Sequence, residues 1–479
     1  MRLVVRTFAF FLAITGLPVA AQPVAFVGVD IVDVVEGTIV PDRTVIVEGS
    51  RISAILPDNA MLDEGTVRID GKGRYLAPGL ADMHTHTWYE DVQLPLDLAF
   101  GVTTIREMWG SQSTLDARKK IEAGEMLGPR IVTAGAIVDG DPPVWPPSTV
   151  LTDPATVRAE IARQKAEGYD FVKPYNRLTP EVFAAIVDAA KAEGMTVAGH
   201  VPRGVPLADA VAAGMKSVEH MGATYEKETI RPGIDPALID WKKERMDLGT
   251  RVLSGELTLD DVYDWDKVRE IARMMAKAGV AATPTVAVGN RFLETSAQRR
   301  ERGAREYTRF ASADMMAMWL DDEWTKQMGW DDAGIAAMAA LAPAGEKMVA
   351  ILHEEGVMIL AGTDTPNPFM VHGYSLHEEL SSLRDLGLGN IGAIRSATIN
   401  AARFFGEEGQ WGEVREGARA DLVLLSADPL SDVSHYFAIE GVMANGRWLD
   451  GEEIARMREQ GLAAYAAIPS DDAAEPAAD

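Results

Sequence analysis

Hydrophobic and polar positions change rhythm twice along this chain. From residue 24 to about residue 69, short runs such as VAFVGVDIVDVV and TVIVEGSRISAIL are broken by turn residues, which predicts hairpin-type strands. From residue 76 to about residue 406, short apolar runs alternate with helical stretches, the pattern of βα units around a parallel sheet. A β-rich texture then returns in ADLVLLSADP and EGVMANGRWLD. In the middle segment, strands are predicted at residues 79–86, 103–107, 130–134, 171–175, 196–200, 217–220, 281–286 and 357–364. Helical stretches between them, such as PATVRAEIARQKAEG and TPEVFAAIVDAAKAEG, carry Pro near the start and Gly at the end, as helices prefer.

These strand-and-crossover units over residues 76–410 predict an α/β fold, a (β/α)8 TIM barrel. The two β-rich ends, residues 22–75 and 411–462, predict one small β-sandwich domain built from both chain ends. An open doubly wound sheet is the alternative, but the glycine-rich dinucleotide fingerprint expected there is missing from the sequence. Two connections, 221–279 and 290–356, are too long for plain crossovers, and such insertions after barrel strands cover the mouth. Most of their Met and Trp residues, as in DMMAMWLDDEWTKQMGWDD, are read as a small core of the insertions' own. Residues 463–479, ending in SDDAAEPAAD, are read as a disordered acidic tail.

Composition narrows the setting. The 479 residues are 47% hydrophobic and 25% charged, ordinary for a soluble globular protein with a large core. A formal net charge of −26 with no clustering of Lys and Arg argues against a nucleic-acid partner and against an anionic membrane surface. The first 21 residues, MRLVVRTFAFFLAITGLPVAA, combine Arg2 and Arg6, an apolar run and small residues before Gln22. That predicts a signal peptide cut after Ala21 and an exported protein, periplasmic or extracellular. With no other long apolar span, no stable membrane anchor is expected. The chain has no cysteine, which excludes disulfides and thiolate ligands, so a metal would need His, Asp, Glu or a modified side chain.

Candidate chemistry gathers at the predicted strand ends, where barrel enzymes keep their active sites. His84 and His86 lie two apart in GLADMHTHTWYE, so on a strand both imidazoles share one face. Lys173 sits in DFVKPY, His200 closes MTVAGH, His220 closes SVEH and Asp364 closes VMILAGTD. Half of the eight histidines therefore converge on one predicted mouth. Taken singly, His200 or His220 reads as a hydrogen-bonded core residue and Asp364 as a helix cap. Lys173 is the oddest of the set, because an apolar strand end penalises its charge. A buried amine with a lowered pKa can react with CO2 to give a carbamate, an oxygen donor able to bridge two divalent cations. His353 and His435 read as surface residues, His377 as a supporting or packing residue, and His372 has no assignment.

The series His84-x-His86, Lys173, His200, His220 and Asp364 on such a barrel resembles the amidohydrolase superfamily, in its binuclear carboxylated-lysine subgroup. YLAPGLADMHTH, GVTTIREM, AGTDT, SLHEEL, ATINAARFFG and GEVREGARADLVLLSADPL carry the resemblance over nearly all of the chain after the signal segment. The pattern is most similar to imidazolonepropionase-like and Xaa-Pro dipeptidase-like members. The resemblance implies two divalent metal ions, zinc first, with His84 and His86 on one and His200 and His220 on the other. Carboxylated Lys173 would bridge them, and Asp364 would bind the first and act as catalytic proton shuttle. It implies cleavage of an amide C–N bond by metal-activated hydroxide, in a dipeptide, an N-acyl amino acid or a cyclic amide. Peptidase-type members often have a tyrosine after the strand-five histidine, where this chain has Pro202 in GHVPRG. Tyr175 and Tyr225 are the candidate substrate-binding residues, and Trp145 in DGDPPVWPPS is a candidate wall of the pocket. The expected partner is a small amide or peptide substrate, with a homo-oligomer left open. Two alternatives remain: a mononuclear deaminase-type member, which would lack the bridging lysine, and a non-catalytic metal- or ligand-binding barrel.

Overall fold

A computed structural model describes residues 22–220, 223–231, 241–321 and 331–468. The expected signal segment and the SDDAAEPAAD end lie outside the described residues.

Parallel strands Leu80–Thr85, Val102–Glu107 and Arg130–Thr133 pair in order. An isolated bridge from Ala134 to Phe171 joins them to Phe171–Val172, Thr196–Gly199, Ser217–Glu219 and Ala281–Thr283. Bridges from Ala282 to Ile359 and from Thr85 to Thr365 close the ring. Helices such as Pro154–Glu167 and Pro180–Ala192 cross between strands, each with a side-chain N-cap, from Asp153 and Thr179. This is a (β/α)8 barrel with an appended β-sandwich.

Three strand expectations need correction at their mouth ends. The predicted strand 281–286 stops at Thr283, and Val286 already opens the helix Val286–Phe292. The strand predicted at 171–175 is regular only over Phe171–Val172; beyond it Pro174, with no amide hydrogen to donate, keeps a single bridge to Val138. The strand predicted at 357–364 is no regular strand. Its backbone threads between its neighbours, with Leu360 N donating to Ala282 O at 2.9 Å and Met83 N to Ala361 O at 2.8 Å, and Asp364 then turns left-handed at φ 57°. Gly362 permits that path, since a Cβ there would stand 2.6 Å from Thr283 and 2.7 Å from His84.

The chain ends meet in one eight-stranded sheet. Leu422–Leu425 pairs antiparallel with Tyr75–Pro78, the segment that runs straight into the first barrel strand. Phe26, Val45, Ile52, Leu76, Leu422 and Met443 fill the sheet's inner face.

The long connections are helical, from Trp241–Leu253 and Trp265–Ala278 to Ala313–Leu320 and Asp332–Glu354. Met315 and Trp319 do not form a private core, as the sequence suggests, but pack on Leu96, Phe100, Phe369 and Tyr465. Tyr465 belongs to a helix, Gly451–Ala467, which runs five residues into the stretch read as tail. Asp450 caps that helix, Arg458 donates to Ala99 O at 2.7 Å, and Tyr465 is buried, so burial and capping order this segment despite its small, polar composition. Asp332–Glu354 is long and apolar enough to cross a membrane, contrary to the sequence reading, but half of the apolar window is buried, as in a core helix.

Candidate metal centre

The six predicted ligands arrive at one place. Ligand atoms of His84, His86 and Asp364 lie within 4.8 Å of one another. Asp364 Oδ1 is 3.3 Å from His84 Nε2 and 3.1 Å from His86 Nε2, and Oδ2 is 3.8 Å from His220 Nε2. Lys173 Nζ stands 3.5 Å from His84 Nε2, with the lysine 2% exposed. The His220 ring centroid is 4.6 Å from that of His84 and 4.9 Å from that of His200. Gly199 lets strand five approach the lysine, because a Cβ there would meet Pro174 O at 2.8 Å and Lys173 Cγ at 3.0 Å.

Three of the four imidazoles are held from behind. His84 Nδ1 donates to Glu219 Oε2 at 2.9 Å and His200 Nδ1 to Asn176 Oδ1 at 3.0 Å, and His220 Nδ1 shares a hydrogen bond of 2.7 Å with the Thr285 hydroxyl. Such bonds fix the tautomer and leave Nε2 bare, the form that binds a metal. His86 Nδ1 faces Glu107 Oε1 at 3.7 Å. His372 Nε2 donates to the His86 carbonyl at 3.1 Å while Nδ1 faces Asp97 Oδ2 at 3.3 Å. Burial alone would lower the pKa of His372, but Asp97 outweighs it and raises it. His377 lies away from the centre, donating to Phe100 O at 2.8 Å.

Backbone strain concentrates here. His220, Thr285, Asp364 and Phe369 all take left-handed φ between 49° and 59°. For non-glycine residues each costs about 1–3 kcal/mol and clusters at functional sites.

The electrostatics suit cation binding. Burial pulls Lys173 down to about 8, despite the raising pull of Asp364, Glu219 and Glu107. Burial also takes His220 down to about 3 and, with the help of His220 and Lys173, holds His200 well below its ordinary value. Both are therefore neutral at pH 7. Burial opposes ionisation of Asp364, yet His84 and the hydrogen bond from His86 hold its carboxyl well below the usual range.

A buried network that the sequence reading missed lies beneath the ligands. Arg106 Nη2 donates to Glu219 Oε1 at 2.9 Å and Oε2 at 2.8 Å, Nη1 to Ser217 Oγ at 2.9 Å, and Nη2 to Thr283 Oγ1 at 3.0 Å. Burial opposes the charge of Glu219, but Arg106 and His84 bring its pKa down to about 2. On the other side, Asp82 accepts from His84 N at 3.1 Å and from the Thr363 hydroxyl at 2.6 Å, which ties the first strand to the segment bearing Asp364. Charged residues inside otherwise apolar strands, Arg106 in TTIREM and Glu219 in SVEH, were the available signal.

The two substrate candidates part company. Tyr175 stacks on His200 at 4.1 Å. Tyr225 is buried, with its hydroxyl 3.5 Å from Val268 O on the helix Trp265–Ala278, so it faces the core and its assignment as a substrate residue is withdrawn. Its helix, Ala223–Thr229, packs on Trp265–Ala278 and turns the ring inward.

With this geometry in view, comparison with known proteins becomes informative. Residues 75–449 match the family described as the amidohydrolase family. The chain belongs to that family, which places it among hydrolases acting on carbon–nitrogen bonds. It is similar to a solved structure described as bottromycin amidohydrolase, with 25% identity, a TM-score of 0.71, and coverage of 95% of this chain and 93% of that one. A Xaa-Pro dipeptidase with bound methionine in the active site shares the fold, with a TM-score of 0.64, 21% identity, and coverage of 90% of this chain and 100% of that one. Adenine deaminase 3 of Rhizobium meliloti (strain 1021) is 23% identical over 417 residues, 82% of this chain. The chain spans about half, 53%, of that curated relative's length.

Proposed function

We propose that the protein is an exported, binuclear metal-dependent hydrolase of an amide C–N bond in a dipeptide, an N-acyl amino acid or a cyclic amide. The observation that carries this reading is the convergence of four imidazoles, one buried lysine and one carboxylate, with Nδ1 of three imidazoles already engaged from behind. His84 and His86 would hold one ion and His200 and His220 the other, with Asp364 on the first. Lys173, carboxylated by CO2, would bridge them, and its lowered pKa supports that chemistry. With only nitrogen and oxygen donors, zinc fits the site first. Bound divalent cations supply Lewis acidity and make water a nucleophile at neutral pH.

The chain's own groups then have defined tasks. Asp364, ionised at neutral pH, accepts a proton from the attacking water at a carboxylate oxygen and returns it to the leaving nitrogen. Glu219 and Arg106 keep His84 oriented throughout, and Asp82 and Thr363 hold the Asp364 segment against the first strand. A small-molecule substrate suits a site at the end of a barrel.

The test is metal analysis with a panel of dipeptides, N-acyl amino acids and lactams. Two metal equivalents per chain and turnover abolished by chelation are expected. One equivalent per chain with turnover on amino-purines would favour a mononuclear deaminase, the reading to which the distant adenine deaminase relative and the compact His84, His86, Asp364 group lend support. Full metal content without turnover on any substrate would point to a non-catalytic barrel. Export is tested by N-terminal sequencing, with Gln22 expected as the first residue.

A further inference from the structure

We propose that Trp109, Trp145 and Tyr175 form a substrate subsite for a planar, uncharged aromatic group; this rests on the amide-hydrolase reading and names its substrate class. The three rings make an arc beside the ligand histidines. Trp109 lies edge-on to His86 at 6.4 Å and 6.5 Å from Trp145, and Trp145 Nε1 donates to the Tyr175 hydroxyl at 3.0 Å. Tyr175 in turn stacks on His200 at 4.1 Å. The arc thus runs from a ligand of one proposed ion to a ligand of the other.

Two features mark it as a binding surface. Trp145 is 45% exposed, although a tryptophan gains most from burial. Its loop is nevertheless rigidly tied. Asp139 accepts from Gly140 N and Val144 N, each at 2.9 Å, and from Arg177 N at 2.6 Å, and Arg177 Nη1 donates to Pro142 O at 2.5 Å. The main chain at Trp109 is anchored, its backbone amide donating to Glu107 Oε1 at 2.9 Å. Rings held in place before a ligand arrives, with Trp145 exposed to receive it, give affinity at small ordering cost.

The chemistry selects the occupant. The indole N–H of Trp145 is already engaged, so this ring offers its face rather than a donor. Aromatic faces attract aromatic rings and also cations. A cation here would stand near the proposed divalent ions and be repelled. A neutral ring remains.

Ligand-observed NMR titrations of the zinc-loaded full chain test this with probes that cannot be hydrolysed. Benzyl alcohol should bind about two- to tenfold more tightly than cyclohexylmethanol. Trp145→Ala should erase that difference, while Trp265→Ala, whose ring packs on Tyr263 and Lys347 and not on the arc, should keep it. Equal affinities, a difference retained in Trp145→Ala, tighter binding of benzylammonium, or binding of neither alcohol up to its solubility would each overturn the proposal. Failure of the hydrolase reading would show separately, as absence of metal-dependent turnover on the amide panel.

Discussion

Replacing Arg106 by Met probes the charge network under the candidate metal centre. Both Arg106 and Glu219 are completely buried, and two contacts of 2.8 and 2.9 Å join them. Removing one partner of such a pair leaves a charge in low dielectric and costs about 3–5 kcal/mol. The double change Arg106→Met with Glu219→Gln removes both charges and should be about 1–3 kcal/mol more stable than Arg106→Met alone. Zinc affinity should follow a different pattern. Glu219→Gln weakens the support behind His84 Nδ1, so affinity should fall about 10–100-fold, in the double variant as in the single one. Urea unfolding of the metal-free proteins measures the first quantity, and chelator competition the second. If the double variant is as unstable as the two single costs added together, the pair is not coupled. If either Gln variant binds zinc as tightly as the parent, Glu219 has no role in orienting His84.

Other predictions follow from the same geometry. Lys173→Ala should lose metal and turnover together, and a fully metallated active variant would remove the bridging role. With its pKa near 8, the neutral amine fraction rises from about one-tenth at pH 7 to about nine-tenths at pH 9. At fixed dissolved CO2, reactivation of metal-free protein should therefore be roughly tenfold faster at pH 9, and equal rates would count against the carbamate. Asp364→Asn should retain much of the metal yet lower kcat about 10²–10⁴-fold, and near-parental kcat would exclude it as the proton carrier. Tyr225→Phe should leave KM unchanged and cost less than about 1 kcal/mol, since among the described residues its hydroxyl meets only Val268 O, at 3.5 Å. A raised KM would return Tyr225 to the pocket.

Much of the barrel and the meeting of the candidate residues was legible because two signals coincided: strand-and-helix rhythm located the strand ends, and rare His residues stood on them. What escaped depended on direction rather than position. Tyr225 follows His220 closely in sequence, yet the short helix it sits on turns it into the core. Arg106 and Glu219 are 113 residues apart, and nothing in either local pattern says that both point inward to meet. The segment 357–364 looked like an ordinary strand because a left-handed turn at Asp364 leaves no mark on periodicity. The helix Gly451–Ala467 did announce itself, through Asp450 and the acidic pair Glu452 and Glu453 in its first turn, but an alanine-rich end resembles a tail when no partner is visible.

Because Leu422–Leu425 is hydrogen-bonded beside Tyr75–Pro78, directly upstream of His84 and His86, the order of synthesis matters. All six proposed ligand residues leave the ribosome before the strand that braces the first of them. A nascent chain stopped short of Leu422 would own every donor atom and still lack the neighbour that fixes where the first barrel strand begins. On the proposed function, metal loading would therefore be a late event in the protein's maturation, following closure of the two chain ends upon each other.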